Sequence, residues 1–204
     1  LQKLLVNFEQ FIQDKNICFL AKGWRGEIYT YEDNKELFCI KKAIHQEAIY
    51  AIKKEANILS FLYADKRFPQ IVCQGEDFFV YKYIDGKPFE KVFWLLEEEK
   101  KRYVLESILE AAYYLDNIGL NRGEFDKEYK NILIDDSLNI YILDFDRGSF
   151  SKNPKNITQF IQSLRRKNIL NKDQAIDLGK LYKTNKEKVY VELKKLLSQP
   201  PSTF

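Results

Sequence analysis

Apolar positions in the first half of the chain fall mostly into short alternating runs, and in the second half into periods of three and four, so strands are expected first and helices later. Leu1, Leu4, Leu5, Phe8, Phe11 and Ile12 recur at helical spacing and predict an amphipathic helix of about a dozen residues, ending near Asp14 to Asn16. Three strand candidates follow, Ile17 to Lys22, Glu27 to Glu32 and Glu36 to Lys42. A glycine-containing turn separates the first two and Glu32-Asp33-Asn34 the last two, which predicts an antiparallel meander. From His45 to Tyr63 the residues Ile49, Ile52, Ala56, Leu59 and Leu62 line one side of a long helix. Strands near Ile71 and across Phe78 to Ile84 bring the predicted sheet to five. Asp85-Gly86 with Pro88 is the sharpest break in the chain and reads as a hinge, dividing it into residues 1–86 and 87–204.

Beyond the hinge the period changes. Glu97 to Ile118 predicts a long helix, and from Asn153 onward helical periods alternate with asparagine-containing breaks. Between them lies one strand pair, Ile132 to Ile134 and Ile140 to Leu143, turned by Asp135-Asp136-Ser137-Leu138-Asn139. The fold class is therefore α+β, a small antiparallel sheet with one long helix followed by a mainly helical lobe. There is no internal repeat or low-complexity segment, and Gln199 to Phe204 is expected to fray.

Composition narrows this picture in a few places. With 204 residues the chain can build one domain or two small lobes sharing a cleft. No run of about 18 apolar residues is present, so no membrane span is expected. A net charge of +3, from 33 basic and 30 acidic residues, does not by itself select a nucleic-acid partner, so association with RNA or the ribosome stays open without a feature that argues for it. Cys18, Cys39 and Cys73 form no CxxC pair and sit in apolar stretches, as expected of core thiols in a reducing cytoplasm. No charged segment followed by an apolar one opens the sequence, so no signal peptide is expected, and the absence of Met even at position 1 leads us to expect a start upstream of Leu1. His45, the sole histidine, is expected to start the long helix rather than bind metal, and Trp94 to lie in the core.

Four features together point to chemistry. Gly23-Trp24-Arg25-Gly26 joins two strands, and its glycines would let backbone amides approach a phosphate, although an ordinary hairpin turn has the same composition. Phe38-Cys39-Ile40-Lys41 ends an apolar strand in a lysine; Lys42 follows, and only one of the two can point inward. An inward ammonium needs an anion. Glu55 lies beside the apolar stripe of the long helix and can supply it, with Glu47 as the rival. Finally, Asn131 and Asp144 flank the apolar hairpin thirteen residues apart. An amide oxygen and a carboxylate at its open ends are hard donors suited to Mg²⁺.

These residues, in this order, resemble the protein-kinase superfamily. Leu20 to Tyr29 is similar to the glycine-rich loop, with Ala21 where the first glycine usually stands. Phe38-Cys39-Ile40-Lys41 resembles the Val-Ala-Ile-Lys strand, Glu55 the helix glutamate, Asn131 the catalytic-loop asparagine and Asp144-Phe145-Asp146 the Asp-Phe-Gly segment. The resemblance covers about residues 17 to 150 and is nearest to small archaeal predicted serine/threonine kinases related to the RIO and lipopolysaccharide-kinase groups; Pro154 to Phe160 supports that narrower likeness. It implies a two-lobed protein-kinase-like fold and ATP with Mg²⁺ as cofactors. Lys41 would hold the α and β phosphates, Glu55 would orient Lys41, and Asn131 with Asp144 would hold the metal. Gly23, Gly26 and Tyr83 join the nucleotide-binding set, and Trp24 at the loop tip would cover the nucleotide or meet a partner.

The departures concern the base and the acceptor. Where His-Arg-Asp is usual, the chain reads Asn121-Arg122-Gly123-Glu124-Phe125-Asp126. Asp126 lies five residues before Asn131, as the common motif requires. Glu124 is favoured because Gly-Glu-Phe resembles the His-Gly-Glu-Leu of the archaeal group, with Phe125 as its buried residue. Lys127 or Lys130 would offset γ-phosphate charge. No Ala-Pro-Glu motif follows Asp146 to build a peptide shelf. An atypical serine/threonine protein kinase acting on an unidentified protein or macromolecular acceptor ranks first. A nucleotide-binding switch or pseudokinase ranks second, and a small-molecule kinase third. Lys41→Ala and Asp144→Ala are expected to abolish metal-dependent nucleotide affinity or turnover while leaving the fold largely intact.

Overall fold

The computed structural model describes residues 1–125 and 131–198, which divide into two compact units. The first contains Leu1–Asp85 together with Tyr141–Gly148, and the second the remaining described residues.

The first unit is built on a six-stranded sheet. Its strands in chain order are β1 (Gln2–Lys3), β2 (Ile17–Lys22), β3 (Gly26–Asp33), β4 (Glu36–Ala43), β5 (Ile71–Gln74) and β6 (Phe78–Lys82), arranged β1-β5-β6-β4-β3-β2. All neighbours are antiparallel except β1 and β5. The meander β2-β3-β4 and the strands β5 and β6 form where alternation predicted them, and β1 is the sixth strand that alternation did not announce.

Helix α1 (Phe8–Phe11) replaces the longer helix expected at the start of the chain. Gln2 and Lys3 pair with Cys73 and Gln74, the Leu4 amide donates to the Gln74 carbonyl at 2.8 Å, and the Glu76 amide donates to the Val6 carbonyl at 3.0 Å. The segment is therefore extended, and Leu4, Val6 and Phe8 pack into the core while Leu5 is 93% exposed. So short an apolar run satisfies a period of two as well as 3.6, and the backbone bonds offered by β5 decide between them. The helix begins only after Asn7, whose side chain accepts from the Gln10 amide while Gln10 returns a bond to the Asn7 amide.

Helix α2 (Ile49–Phe61) lies against β4, β5 and β6 and buries Ile52, Ala56, Leu59 and Leu62 as predicted, with Ala51 and Ile58 beside them. His45 does start this element: its Nδ1 accepts from the Ala48 amide at 3.2 Å and caps the 3₁₀ turn Gln46–Ala48 that leads into the helix. Cys39 and Cys73 are buried, but Cys18 is exposed, because β2 is an edge strand with only Ile17 partly covered.

The β3–β4 turn is tight. Asp33 pairs with Glu36, and the two residues between them, Asn34 and Lys35, have φ of 50° and 67°. That is the left-handed region favoured in two-residue hairpins, where asparagine is tolerated and glycine is preferred over lysine. Lys35→Gly is expected to stabilise the protein by about 1 kcal/mol, read as a rise in the urea midpoint.

The second unit is mainly helical. It contains α3 (Phe89–Val92), α4 (Glu98–Asn117), α5 (Asn156–Arg166), α6 (Lys172–Tyr182) and α7 (Lys186–Ser198), so seven α-helices are present among the described residues. Two short pairings accompany them: β7 (Lys87–Pro88) runs antiparallel to β9 (Ile132–Ile134), and β8 (Leu120–Asn121) antiparallel to β11 (Ser149–Phe150). Of the residues expected to form the hinge, Pro88 lies in β7, while Asp85 and Gly86 precede it. Strand β10 (Ile140–Ile142) forms where expected, after a turn in which the Asp135 carboxylate accepts from the amides of Ser137 and Asn139 at 2.9 and 2.8 Å.

α4 buries Val104, Leu105, Ile108, Leu109, Ala112 and Leu115 against α5 and α7. Asn171 caps α6 with Gln174 in a reciprocal pair, which accounts for one of the asparagine breaks. Trp94 is 53% exposed rather than in the core. Phe89 and Phe93 are buried and stack with centroids 4.4 Å apart, and the Trp94 ring meets Phe93 edge-on.

Candidate functional site

Strand alternation decides which lysine turns inward. On β4, Lys42 shares a face with Ile40 and reaches Glu9 at 3.0 Å and the face of the Phe8 ring, on the α1 side. Lys41 points the other way, towards α2, where its Nζ lies 2.6 Å from Glu55 Oε2 and 3.1 Å from Asp144 Oδ1. The rival Glu47 is exposed and lies beside the His45 ring rather than at Lys41. Lys41 retains 13% side-chain exposure and Glu55 only 3%.

Burial works against the Lys41 charge, but Glu55 and Asp144 outweigh it and hold the ammonium above its ordinary pKa, so it is charged. Burial pushes the Glu55 carboxyl up, while Lys41 and the Phe145 amide pull against that rise. Glu55 faces two elements at once, because its Oε1 also accepts from the Phe145 amide at 3.2 Å.

The segment carrying Asp144 is held from several sides within the first unit. The Ile142 amide donates to the Arg67 carbonyl at 2.8 Å, and Asp65 grips Arg67 in a fork with Nη2 to Oδ2 at 2.6 Å. Phe145 is fully buried and meets Phe68 edge-on at 5.6 Å. Gly148 donates its amide to the Phe145 carbonyl at 2.8 Å and closes the following turn. Between these anchors Asp144 adopts φ +64°, a left-handed conformation that costs an aspartate about 1–3 kcal/mol and persists only where surrounding contacts enforce it. Two residues on, Asp146 Oδ2 accepts from Arg25 Nη1 at 2.6 Å.

Arg25 belongs to the turn between β2 and β3. The Gly23 amide donates to the Gly26 carbonyl at 2.8 Å, and the Ile44 amide to the Arg25 carbonyl at 3.2 Å. Gly26 is buried against β4 and α2. A Cβ there would approach the Lys42 carbonyl at 3.2 Å, Ile52 Cδ1 at 3.3 Å and Lys41 Cε at 3.3 Å, so glycine lets the turn lie directly beside the lysine stem. Trp24 stands at the tip, 87% exposed. Tyr83, after β6, is partly exposed and donates its amide to the Leu37 carbonyl at 3.0 Å.

The remaining expected site residues are in the second unit or outside the described residues. Asn131 is half-buried immediately before β9. Glu124 is half-buried, its carbonyl accepting from Arg122 Nη1 at 3.1 Å, and Phe125 is fully buried. Asp126, Lys127 and Lys130 lie outside the described residues.

The loop before Asp126 is supported by a polar network that motif reading did not single out. Asn156 Oδ1 accepts from the Arg122 amide at 2.9 Å, and Gln159 accepts from the Phe125 amide at 3.0 Å. Behind them Asp116, only 2% exposed, accepts from the Asn156 amide at 3.0 Å, Asn156 Nδ2 at 2.6 Å, the Ile157 amide at 3.2 Å and the Tyr182 hydroxyl at 2.5 Å. One signal was available: Asp116 continues the stripe of Ile108, Leu109 and Ala112, where an aspartate must be satisfied internally.

In the first unit the arrangement presents two cations and three carboxylates, all partly or wholly buried: Arg25 and Lys41 with Glu55, Asp144 and Asp146. Lysine and arginine suit phosphate, and aspartates suit Mg²⁺, which takes one or two carboxylates and completes its shell with phosphate oxygens and water. No cluster of three or more His, Cys, Asp or Glu side chains among the described residues is placed to hold a metal by itself. No helix among them is long and apolar enough to cross a membrane.

Comparison with known proteins bears on the fold. No family model matches the chain. A crystal structure of a kinase domain is similar with a TM-score of 0.60 at 15% identity, over 72% of this chain and 60% of that one. An aminoglycoside 3'-phosphotransferase of Acinetobacter baumannii is 27% identical over 101 residues, 47% of this chain; the chain spans 37% of that relative's length. The chain has a protein-kinase-like α+β fold.

Proposed function

We propose that the protein is an ATP- and Mg²⁺-dependent phosphotransferase. The observation that carries this is Lys41, an ammonium on an apolar strand bound at 2.6 Å by the buried Glu55 and at 3.1 Å by Asp144. A lysine so placed has a fixed direction and a guaranteed charge, which a polyphosphate can use and a packing role does not need.

In this reading Lys41 meets the nucleotide phosphates, Glu55 holds it in register, and Asp144 faces the metal, with Asn131 as the further metal ligand that the resemblance implies. Magnesium, when bound, would offset phosphate charge during transfer. Gly23 and Gly26 let the β2–β3 turn approach the phosphates, and Tyr83 belongs to the nucleotide-binding set. Glu124 accepts or orients the acceptor's proton, with Asp126 as the alternative; the narrower likeness to the archaeal kinases favours Glu124.

For the acceptor, the superfamily resemblance supports a serine or threonine hydroxyl of a protein. A small-molecule hydroxyl is the second reading, favoured by the 27% identity to an aminoglycoside phosphotransferase.

Incubation with γ-labelled ATP and Mg²⁺, alone, with a generic protein acceptor and with an aminoglycoside, tests the proposal. Label is expected on protein and is expected to fall by about a hundredfold in Asp144→Asn. Label on the aminoglycoside instead would select the second reading. Tight ATP binding with neither transfer nor phosphate release would replace catalysis with a nucleotide-gated switch, and failure to bind ATP would overturn the proposal.

A further inference from the structure

The pair Arg25–Asp146 has no counterpart in the motif reading, since Asp146 stands where the Asp-Phe-Gly segment has glycine. The two residues are 121 positions apart, both lie in the first unit, and their contact is short at 2.6 Å, with side-chain exposures of 34% and 15%. Two residues earlier, Asp144 is bound by Lys41. The segment Asp144-Phe145-Asp146 therefore meets two cations, one from the β2–β3 turn and one from β4.

Those cations are the groups a polyphosphate seeks, and those carboxylates are the groups a magnesium ion seeks. In the arrangement seen here each occupies the other's partner. The backbone of the turn is anchored through Gly23, Arg25 and Gly26, whereas the Arg25 guanidinium is partly exposed at the end of a long side chain. It can change partner without unfolding the turn.

We infer that Arg25 and Asp146 form an exchange pair for a magnesium–nucleotide complex: Arg25 is a further phosphate-binding residue and Asp146 a further carboxylate on the metal side. This rests on the proposed function and deepens it. Nucleotide alone must break the pair and leave Asp146 facing phosphate. Metal alone must break it and leave Arg25 facing a cation. Only the two ligands together give both side chains a new partner of opposite charge, so the pair couples the two binding events, by about tenfold on the usual scale of such couplings.

The test is ATP binding to the full chain by calorimetry with and without Mg²⁺, alongside Mn²⁺ binding followed by electron paramagnetic resonance. Asp146→Asn is expected to raise metal-free ATP affinity and lower metal-loaded affinity, shrinking their ratio by about tenfold. Arg25→Gln is expected to weaken metal-loaded ATP binding and to tighten Mn²⁺ binding in the absence of nucleotide, with Arg25→Lys restoring part of the first effect. These opposite changes are beyond a pair that merely pins the loop, which would shift all affinities the same way.

If the unaltered chain binds ATP and both variants leave the ratio within about twofold, the exchange pair is wrong while the proposed function stands. If the unaltered chain binds no ATP under either condition, both fail.

Discussion

Lys41→Met is expected to abolish ATP binding and also to destabilise the folded protein by about 3–5 kcal/mol near pH 8, because it leaves Glu55 buried without its cation. From sequence alone Lys41 reads as removable without touching the fold. The structure argues against that expectation, since Glu55 is 2% exposed and bound to Lys41 at 2.6 Å. The pH dependence identifies the cause. Burial already raises the Glu55 carboxyl, and without Lys41 less opposes that rise. A group whose folded pKa is raised contributes stability that is present below its unfolded pKa, about 4.3 for glutamate, and lost as pH rises through the folded value. Urea denaturation should therefore show the Lys41→Met deficit largest at pH 8 and smaller at pH 5. Adding Glu55→Gln should recover most of it at pH 8, since the amide oxygen can still accept from Phe145 and no charge remains to bury. Equal stability of Lys41→Met and the unaltered protein at pH 8 would show that the pair is not structural.

Asp116→Ala is expected to cost about 4 kcal/mol, because it leaves four donors, from Asn156, Ile157 and Tyr182, without their acceptor in a buried site. Tyr182→Phe removes one of these bonds and leaves part of the carboxylate's capacity unused, at a cost of about 1.5–3 kcal/mol. The effect should reach the loop that carries Glu124. Asn156 Nδ2 then keeps only its bond to the Leu120 carbonyl, at 2.7 Å, and the Asn156 hold on the Arg122 amide weakens, so hydrogen exchange at Arg122 should accelerate in Asp116→Ala more than exchange along the meander of the first unit. A deficit under about 1 kcal/mol, or unchanged exchange at Arg122, would mean that the network does not carry the loop.

Much of the candidate site was legible because its chemistry runs against its surroundings. Lys41 ends an apolar strand, Asp144 ends another, and Glu55 borders an apolar helix stripe, so each announces a need for a partner. Spacing also indicated that one of Lys41 and Lys42 must turn inward. It did not say which, nor that the other would fold back over Phe8 to Glu9. Arg25 and Asp146 were illegible for the opposite reason. Each is an ordinary residue of a polar turn, and nothing local marks a partner 121 positions away. Asn156 and Gln159 were noticed only as part of a segment, because an amide side chain near a helix start reads as a cap until its acceptor atom is seen to face another loop.

The sequence by itself determined the order and kind of most elements: the β2-β3-β4 meander, α2 with His45 at its head, β6, the long α4 and the helices that follow. Each of these depends on a local period or a local cap, which neighbouring residues set among themselves. Tertiary structure decided the rest. It drew Gln2 and Lys3 into a strand because β5 offered unpaired backbone groups, turned Cys18 outward on an edge strand, and left Trp94 half exposed, edge-on to the buried Phe93. It also imposed a left-handed Asp144 between the anchors at Arg67, Glu55 and Gly148. These outcomes share a physical cause: each is a competition for a partner or a space supplied by residues far along the chain, and such a competition leaves no trace in local periodicity.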